Sequence, residues 1–140
     1  NGKLIGINTA KIKITGVEGM GFAIPSNTVR EIAEDLIENG RVIRPWIGIS
    51  TRNLTRLEAR QLGLDVDYGV IVMEIVAGSP AERAGLEPMD IIVALEGDSV
   101  TNISELQQLI YRYKVGQKVT LTVYREKRQL ELEVTLDKMP

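Results

Sequence analysis

The chain has 140 residues, 44% hydrophobic and 26% charged, with a net charge of −2, a balance that fits a globular chain of one domain or one and a half. Its 17 basic residues are scattered and form no stripe, which argues against a nucleic-acid partner, and no apolar run is long enough to cross a bilayer. Cysteine and histidine are both absent, which excludes disulfides, thiolate chemistry and Cys-based zinc sites and removes the commonest general base.

The opening residues, NGKLIGINTA, read as a turn and a strand already under way. We therefore expect a piece of a longer parent, and the missing leader carries no information about location. Lys3 to Ile14 is rich in β-branched residues and reads as a strand and the arm of a loop. Thr15 to Gly21, with three glycines, reads as the tip of that loop. Phe22 to Ile24 is a short apolar strand stopped by Pro25. A helix follows, with Ser26 or Asn27 as N-cap and Val29, Ile32, Ala33, Leu36 and Ile37 at helical spacing. Asn39-Gly40 ends it. The link Arg41–Arg44 is where a domain boundary is expected.

Beyond that link the elements are short and mixed. Trp46 to Thr51 reads as a strand. Thr55 caps a short helix, with Glu58 three residues later completing a capping box and Gly63 as terminator. Tyr68 to Val76 is a buried strand. Ser79-Pro80 starts a helical turn that Gly85 ends. Asp90 to Val100 is a strand followed by a Gly-Asp turn. Asn102 or Ser104 caps the next helix. Val119, Leu121 and Val123 alternate with polar residues and face Leu130, Leu132, Val134 and Leu136 in a hairpin. Strands and short helices interleave without a long βαβ period. The pattern predicts an α+β fold: a small, partly open β-barrel with two to three short helices.

The motif that invites function is Trp46-Ile47-Gly48-Ile49. A glycine between two apolar residues lets backbone N–H groups converge with no side chain in the way, and such a concavity binds anions. A strand edge beside it suits an extended peptide ending in a carboxylate. The motif alone fits an ordinary buried strand with a tight turn better than it fits a binding site.

The following stretch, GSPAERAGLEPMDIIVALEGDSVTN, then a helix ending YKVGQKVTLTV, resembles a PDZ domain of the bacterial, circularly permuted kind. The run Ser-Pro-Ala-x-x-Ala-Gly-Leu followed by Asp-Ile-Ile is a specific mark. The first part, NGKLIGINTA through GMGFAIPSNTV, resembles the end of the trypsin-like domain of HtrA/Deg serine proteases, with KIKITGVEG similar to the loop beside their primary specificity pocket. The resemblance covers nearly the whole chain and divides it into residues 1–25, a remnant of the protease domain; residues 26–44, linker helix and connector; and residues 45–140, the PDZ domain. Pro45 departs from the pattern of many relatives, which have glycine there; it stiffens the approach to the motif.

By that resemblance the site binds peptide or protein C-termini with an apolar last residue. Ile47, Gly48 and Ile49 offer main-chain N–H groups to the carboxylate, with Trp46 and Ser50 flanking them and Arg44 adding attraction; a solvated linker arginine is as good a reading of Arg44. On the next helix, Ile103, Leu106, Ile110 and Tyr113 are expected to face the core. Leu109 is expected to line the pocket, and Glu105 and Arg112 its rim. No residue is assigned to catalysis or metal binding. Ser26, Ser50, Ser79, Ser99 and Ser104 read as caps, turns or strand positions, and no cofactor is expected. The catalytic Ser, His and Asp of the resembled family would precede Asn1, so the chain by itself should hydrolyse nothing. The resemblance implies a bacterial, extracytoplasmic parent engaged in protein quality control, with the upstream protease domain as a partner. Two alternatives stay open: an interaction protein with a catalytically dead upstream domain, and a PDZ domain from another protease class.

Overall fold

The computed structural model describes residues 2–11 and 21–140. The chain forms two compact units, one running to Ile43 and the other from Arg44 to Pro140.

In the first unit, β1 (Gly6–Lys11) and β2 (Gly21–Pro25) pair antiparallel as a two-stranded sheet. The expected strand residues Ile12 to Ile14 and the expected loop tip, apart from Gly21, lie outside the described residues. Helix α1 (Ser26–Asn39) starts one residue earlier than a Ser26 cap requires and two earlier than an Asn27 cap requires. Pro25 is the cap residue, and no side chain closes the first turn. The backbone instead supplies a partner: Ser26 N–H donates to the Ile5 carbonyl at 3.1 Å. Gly40, in the left-handed conformation, ends the helix as its sequence predicts. No α1 residue is buried, and Ile5 and Ile37 stay 88% and 83% exposed, so the described residues of this unit build no core.

The second unit does. Its strands are β3 (Pro45–Trp46), β4 (Ile49–Asn53), β5 (Val70–Ile75), β6 (Ile91–Leu95), β7 (Asp98–Ser99), β8 (Lys118–Arg125), β9 (Arg128–Thr135) and β10 (Asp137–Lys138). The main sheet runs β4-β5-β6-β8-β9, with β7 paired to β6, while β10 and β3 form a separate pair. The sheets are open and close into no barrel. The predicted WIGIST strand is broken at Ile47-Gly48, which separates β3 from β4.

Three helices, α2 (Arg56–Gln61), α3 (Pro80–Arg83) and α4 (Ile103–Ile110), complete the unit, and the predicted caps set their starts. The Thr55 side chain accepts from Glu58 N–H while Glu58 reaches back, a full capping box. Ser79 caps α3 with Pro80 next, and Asn102 caps α4. The β8–β9 hairpin pairs Val119 with Val134, Leu121 with Leu132 and Val123 with Leu130. Its turn is Glu126-Lys127, both at positive φ, the geometry a two-residue hairpin requires.

Period-two alternation decides the core. Val70 and Val72 of β5 pack with Ile92, Leu95, Leu121 and Leu106 on one face, whereas Ile71 packs with Leu54, Ala59 and Ile91 on the other. Val70 to Val72, buried on both faces, form a continuous apolar run, whereas Met73 and Glu74 further along the expected buried strand are exposed. One charge lies within this interior. Asp90 is fully buried, held by Arg125 through Nε–Oδ1 and Nη2–Oδ2 contacts of 2.7 Å each and by the Glu87 N–H at 2.9 Å. The bidentate pair fastens the loop after α3 to the end of β8.

Candidate functional site

The site begins with three carbonyls that point inward. The Ile47 carbonyl accepts from Ala81 N–H in α3 at 2.9 Å, and the Gly48 carbonyl accepts from Val76 N–H at 2.9 Å. In a trans peptide the C=O and the next N–H point in opposite directions. The N–H groups of Gly48 and Ile49 are therefore turned away from α3 and β5. Trp46 pairs with Asp137, and Met139 N–H donates to the Arg44 carbonyl at 3.0 Å. That pattern makes Trp46/Asp137 the hydrogen-bonded pair of the ladder, so the Trp46 carbonyl faces β10 and the Ile47 N–H faces away from it. In the loops and turns of the described residues, none of these three N–H groups has a backbone acceptor.

Gly48 is required by this geometry. Its φ is +87°, and a Cβ there would lie 2.2 Å from Ser79 Cβ and 3.1 Å from the Trp46 ring. The loop thus rests directly on the Ser-Pro-Ala block: Ser79 supports it from behind, and Ala81 turns one of its carbonyls. That explains physically why the two distant sequence motifs occur together.

Beyond the loop, β4 lies at one end of the sheet. Ile49 opposes Ile75, and the Val76-to-Gly48 bond marks them as a non-hydrogen-bonded pair. A bulge between Ser50 and Thr51 shifts the register, and Leu54 N–H donates to the Gly69 carbonyl at 2.9 Å, which marks Asn53/Val70 the same way. The backbone groups of Ile49, Thr51 and Asn53 consequently face the open edge.

Beside that edge a cleft of about 100 Å³ opens between the loop, β4 and helix α4. Ile47 and Ile49 line it with Trp46, Pro45, Thr51 and Met139, and α4 contributes Ile103, Leu106, Gln107, Ile110 and Tyr111. The rotation of α4 is set at its start, where Ile103 N–H donates to Asn53 Oδ1 at 2.9 Å. The Arg44 guanidinium sits 5.8 Å from the centre of the Tyr111 ring, a cation–π distance.

The structure brings Trp46, Ile47, Gly48 and Ile49 together around this cleft, with Arg44 against Tyr111. Ser50 stands on β4 paired with Glu74 and is exposed. Leu109 and Arg112 are elsewhere, and the expectation for them is corrected. Leu109 is 6% exposed and belongs to the core. With Arg112, Glu105 and Asp98 it borders a different, polar depression, where Arg112 Nη1 lies 3.5 Å from Asp98 Oδ2. Glu105 is engaged by Thr101, whose hydroxyl and amide hydrogen bonds hold its carboxyl below the usual range. The physical reason is that Leu106 and Ile110 serve two roles: both belong to the core cluster and both line the cleft. An apolar stripe read from the sequence counts them as core only and leaves Leu109 over. The missed cleft residues, Gln107 and Tyr111, repeat four apart from Ile103; the Asn53 contact would have chosen that stripe, and it joins residues 50 apart.

Chemically, the arrangement pairs a group of outward N–H donors with an unpaired strand edge and an apolar floor. Donors in a concavity hold an anionic group, and an open edge accepts an added strand. Among the described residues no cluster of three or more carboxylates could hold a metal ion.

The PDZ domain family model matches residues 45–136. Over 145 aligned residues the chain is 40% identical to the serine protease Do-like HtrA of Bacillus subtilis (strain 168), covering 98% of this chain and 32% of that protein. It is 41% identical to the periplasmic pH-dependent serine endoprotease DegQ of Escherichia coli (strain K12), covering 98% of this chain and 30% of that protein. Among solved structures, the HtrA-type protease AlgW with a decapeptide superposes with a TM-score of 0.75 at 34% identity, over 99% of this chain and 43% of that one. The chain spans about a third of the length of these curated relatives. It belongs to the PDZ family, in the form carried by HtrA-type serine proteases.

Proposed function

We propose that residues 45–140 capture the extended C-terminal ends of other polypeptides by adding them as a strand to β4. The terminal carboxylate sits against the N–H groups of Ile47, Gly48 and Ile49. The last side chain, an apolar one, enters the cleft over Ile47, Ile49, Leu106 and Ile110. Arg44, at the mouth, attracts the carboxylate over a longer range. The observation that carries this reading is the inward turn of the Trp46, Ile47 and Gly48 carbonyls, which leaves the following amides facing away from the fold.

The reading extends to a longer protein. Residues 1–25 are then the end of a trypsin-like protease domain and residues 26–44 its connector. Captured chains, unfolded or signal-bearing, are delivered to that protease or switch it on. The extent of the match to HtrA-type proteases supports this. An extracytoplasmic location is supported by relatives named periplasmic endoproteases.

Titration of the 140-residue chain with a peptide ending in an apolar residue tests the reading. Saturable binding is expected with a Kd on the order of micromolar, since the ordering of the peptide offsets much of the contact energy. The same peptide with an amidated terminus should not bind measurably. Equal affinity for the acid and the amide would overturn the assignment of the loop.

A further inference from the structure

We infer that Met139 is an oxidation site that governs how tightly the cleft holds an apolar chain end. This rests on the peptide-binding reading of the cleft. Met139 lines the cleft together with Pro45, Trp46 and Tyr111. Its backbone N–H is fixed to the Arg44 carbonyl at 3.0 Å, and its neighbour Lys138 is in register with Pro45. The residue is therefore anchored at the wall of the cleft, yet 52% of it is exposed, so a dissolved oxidant reaches it. The chain has no cysteine to compete for oxidant. Of its other methionines, Met73 and Met89 are 42% and 60% exposed. Neither lines this cleft; Met89 borders a separate depression with Leu62, Leu64 and Tyr124. They serve as internal controls.

The reaction needs only hydrogen peroxide. A lone pair on Sδ attacks one peroxide oxygen, the S–O bond forms as the O–O bond breaks, and the proton of the attacked oxygen passes to the departing hydroxide to give water. Sulfur is oxidised by two electrons and the peroxide is reduced by two. The product replaces a soft apolar wall with a strongly polar sulfoxide. Facing an apolar ligand side chain, that group either keeps water in the cleft or is buried without a partner, and both weaken binding. Methionine sulfoxide reductases reverse the change.

The test is a peptide titration of the 140-residue chain before and after hydrogen peroxide, with mass mapping of each methionine. Oxidised wild type should bind an apolar-ended peptide roughly 3- to 10-fold more weakly, the scale of about one to two methylenes' burial. Treatment with the two sulfoxide reductases should restore the affinity. Met139→Leu, whatever its own starting affinity, should keep that affinity after peroxide, although Met73 and Met89 are oxidised. Met139→Gln should bind weakly without any oxidant. The inference fails if sulfoxide forms at Met139 with no loss of affinity, if Met139 resists peroxide while Met89 reacts, or if Met139→Leu loses affinity on oxidation as wild type does. Untreated wild type tests the peptide reading separately: if it distinguishes acid from amide and peroxide changes nothing, only the oxidation inference falls.

Discussion

The main sheet has two ends, β4 and β9, and they are finished differently. In β9, Arg128 pairs with Arg125 across a two-residue turn, and Leu136 N–H donates to the Gln117 carbonyl. The alternation this fixes turns the backbone groups of Gln129, Glu131, Glu133 and Thr135 outward. The two glutamates on that edge are exposed, and Glu133 holds Lys118 at 2.6 Å. In β4 the outward positions are Ile49, Thr51 and Asn53, none of them charged, beside an apolar cleft. Unpaired strand edges invite another chain. Charge at β9 discourages that approach, whereas the cleft and its amides at β4 accept it. The same backbone feature is guarded at one end and available at the other, and the side chains decide which.

The most disruptive test of this contrast concerns the wall of the cleft. Leu109→Glu puts a carboxylate into the core cluster rather than into the cleft, so it should destabilise the fold by about 4 kcal/mol in denaturant titrations. Gln107→Glu, on the cleft side of the same helix, should change stability by no more than about 0.5 kcal/mol while weakening carboxylate-ended peptides by repulsion. If Leu109→Glu folds normally and loses only peptide binding, α4 is rotated from the orientation described and the available edge has a different wall.

Next in size is the loop that ends β4's edge. Gly48→Ala adds a methyl 2.2 Å from Ser79 Cβ at a φ of +87°, so the loop must move. A cost of about 2 kcal/mol is expected, in the range of other strained backbone positions, together with loss of peptide binding. Retained affinity for the free carboxylate would show that the amides of this loop are not the anion holders.

The edges themselves can then be exchanged in character. Thr51→Pro removes one outward N–H from β4 and should weaken peptide by about 1 kcal/mol, the net worth of a hydrogen bond. Glu131→Val with Glu133→Val strips the charge from β9 and should leave peptide affinity unchanged while causing self-association, read by sedimentation as protein concentration rises. A double variant that stays monomeric would mean that charge is not what guards β9.

How far the sequence reveals this contrast depends on the range of the interactions involved. The β8–β9 hairpin, the Thr55 capping box and the Ser79-Pro80 turn are legible because each is decided within a few residues by alternation, caps or turn chemistry. The glycine loop at Gly48 was legible as a motif, but the break it makes in the expected Trp46–Thr51 strand was not. The wall was not: Asn53 orients α4 across 50 residues, and Leu106 and Ile110 are shared between core and cleft, which a single helical stripe does not express. The β10–β3 pair joins residues more than 90 apart and only two residues long in each strand, too short for alternation to show. It brings Met139 to the cleft, which explains why a methionine with no pattern around it had no visible role.

The smallest expected effect separates the two edges by pH. Arg52 of β4 reaches Glu58 in α2, Nη2 to Oε1 at 2.9 Å. That hydrogen bond, aided by those from Thr55, lowers the Glu58 carboxyl from 4.5 to about 2. A depressed carboxylate contributes stability that is complete above pH 4.5 and is lost as pH falls toward about 2. At the other edge, the Glu133 hydrogen bond raises the Lys118 ammonium above its ordinary 10.5. A raised ammonium contributes stability that is present below pH 10.5 and lost as pH climbs through the higher value. The Lys118–Glu133 pair is exposed and the Arg52–Glu58 pair half-exposed, so each contribution is modest and screened by salt. Thermal melts should show Glu58→Gln flattening only the acid limb and Lys118→Met only the alkaline limb, with both differences shrinking in high salt. If Glu58→Gln leaves the slope below pH 4.5 unchanged, the Arg52 tether adds nothing to β4, and the available edge is held in place by its ladder to β5 alone.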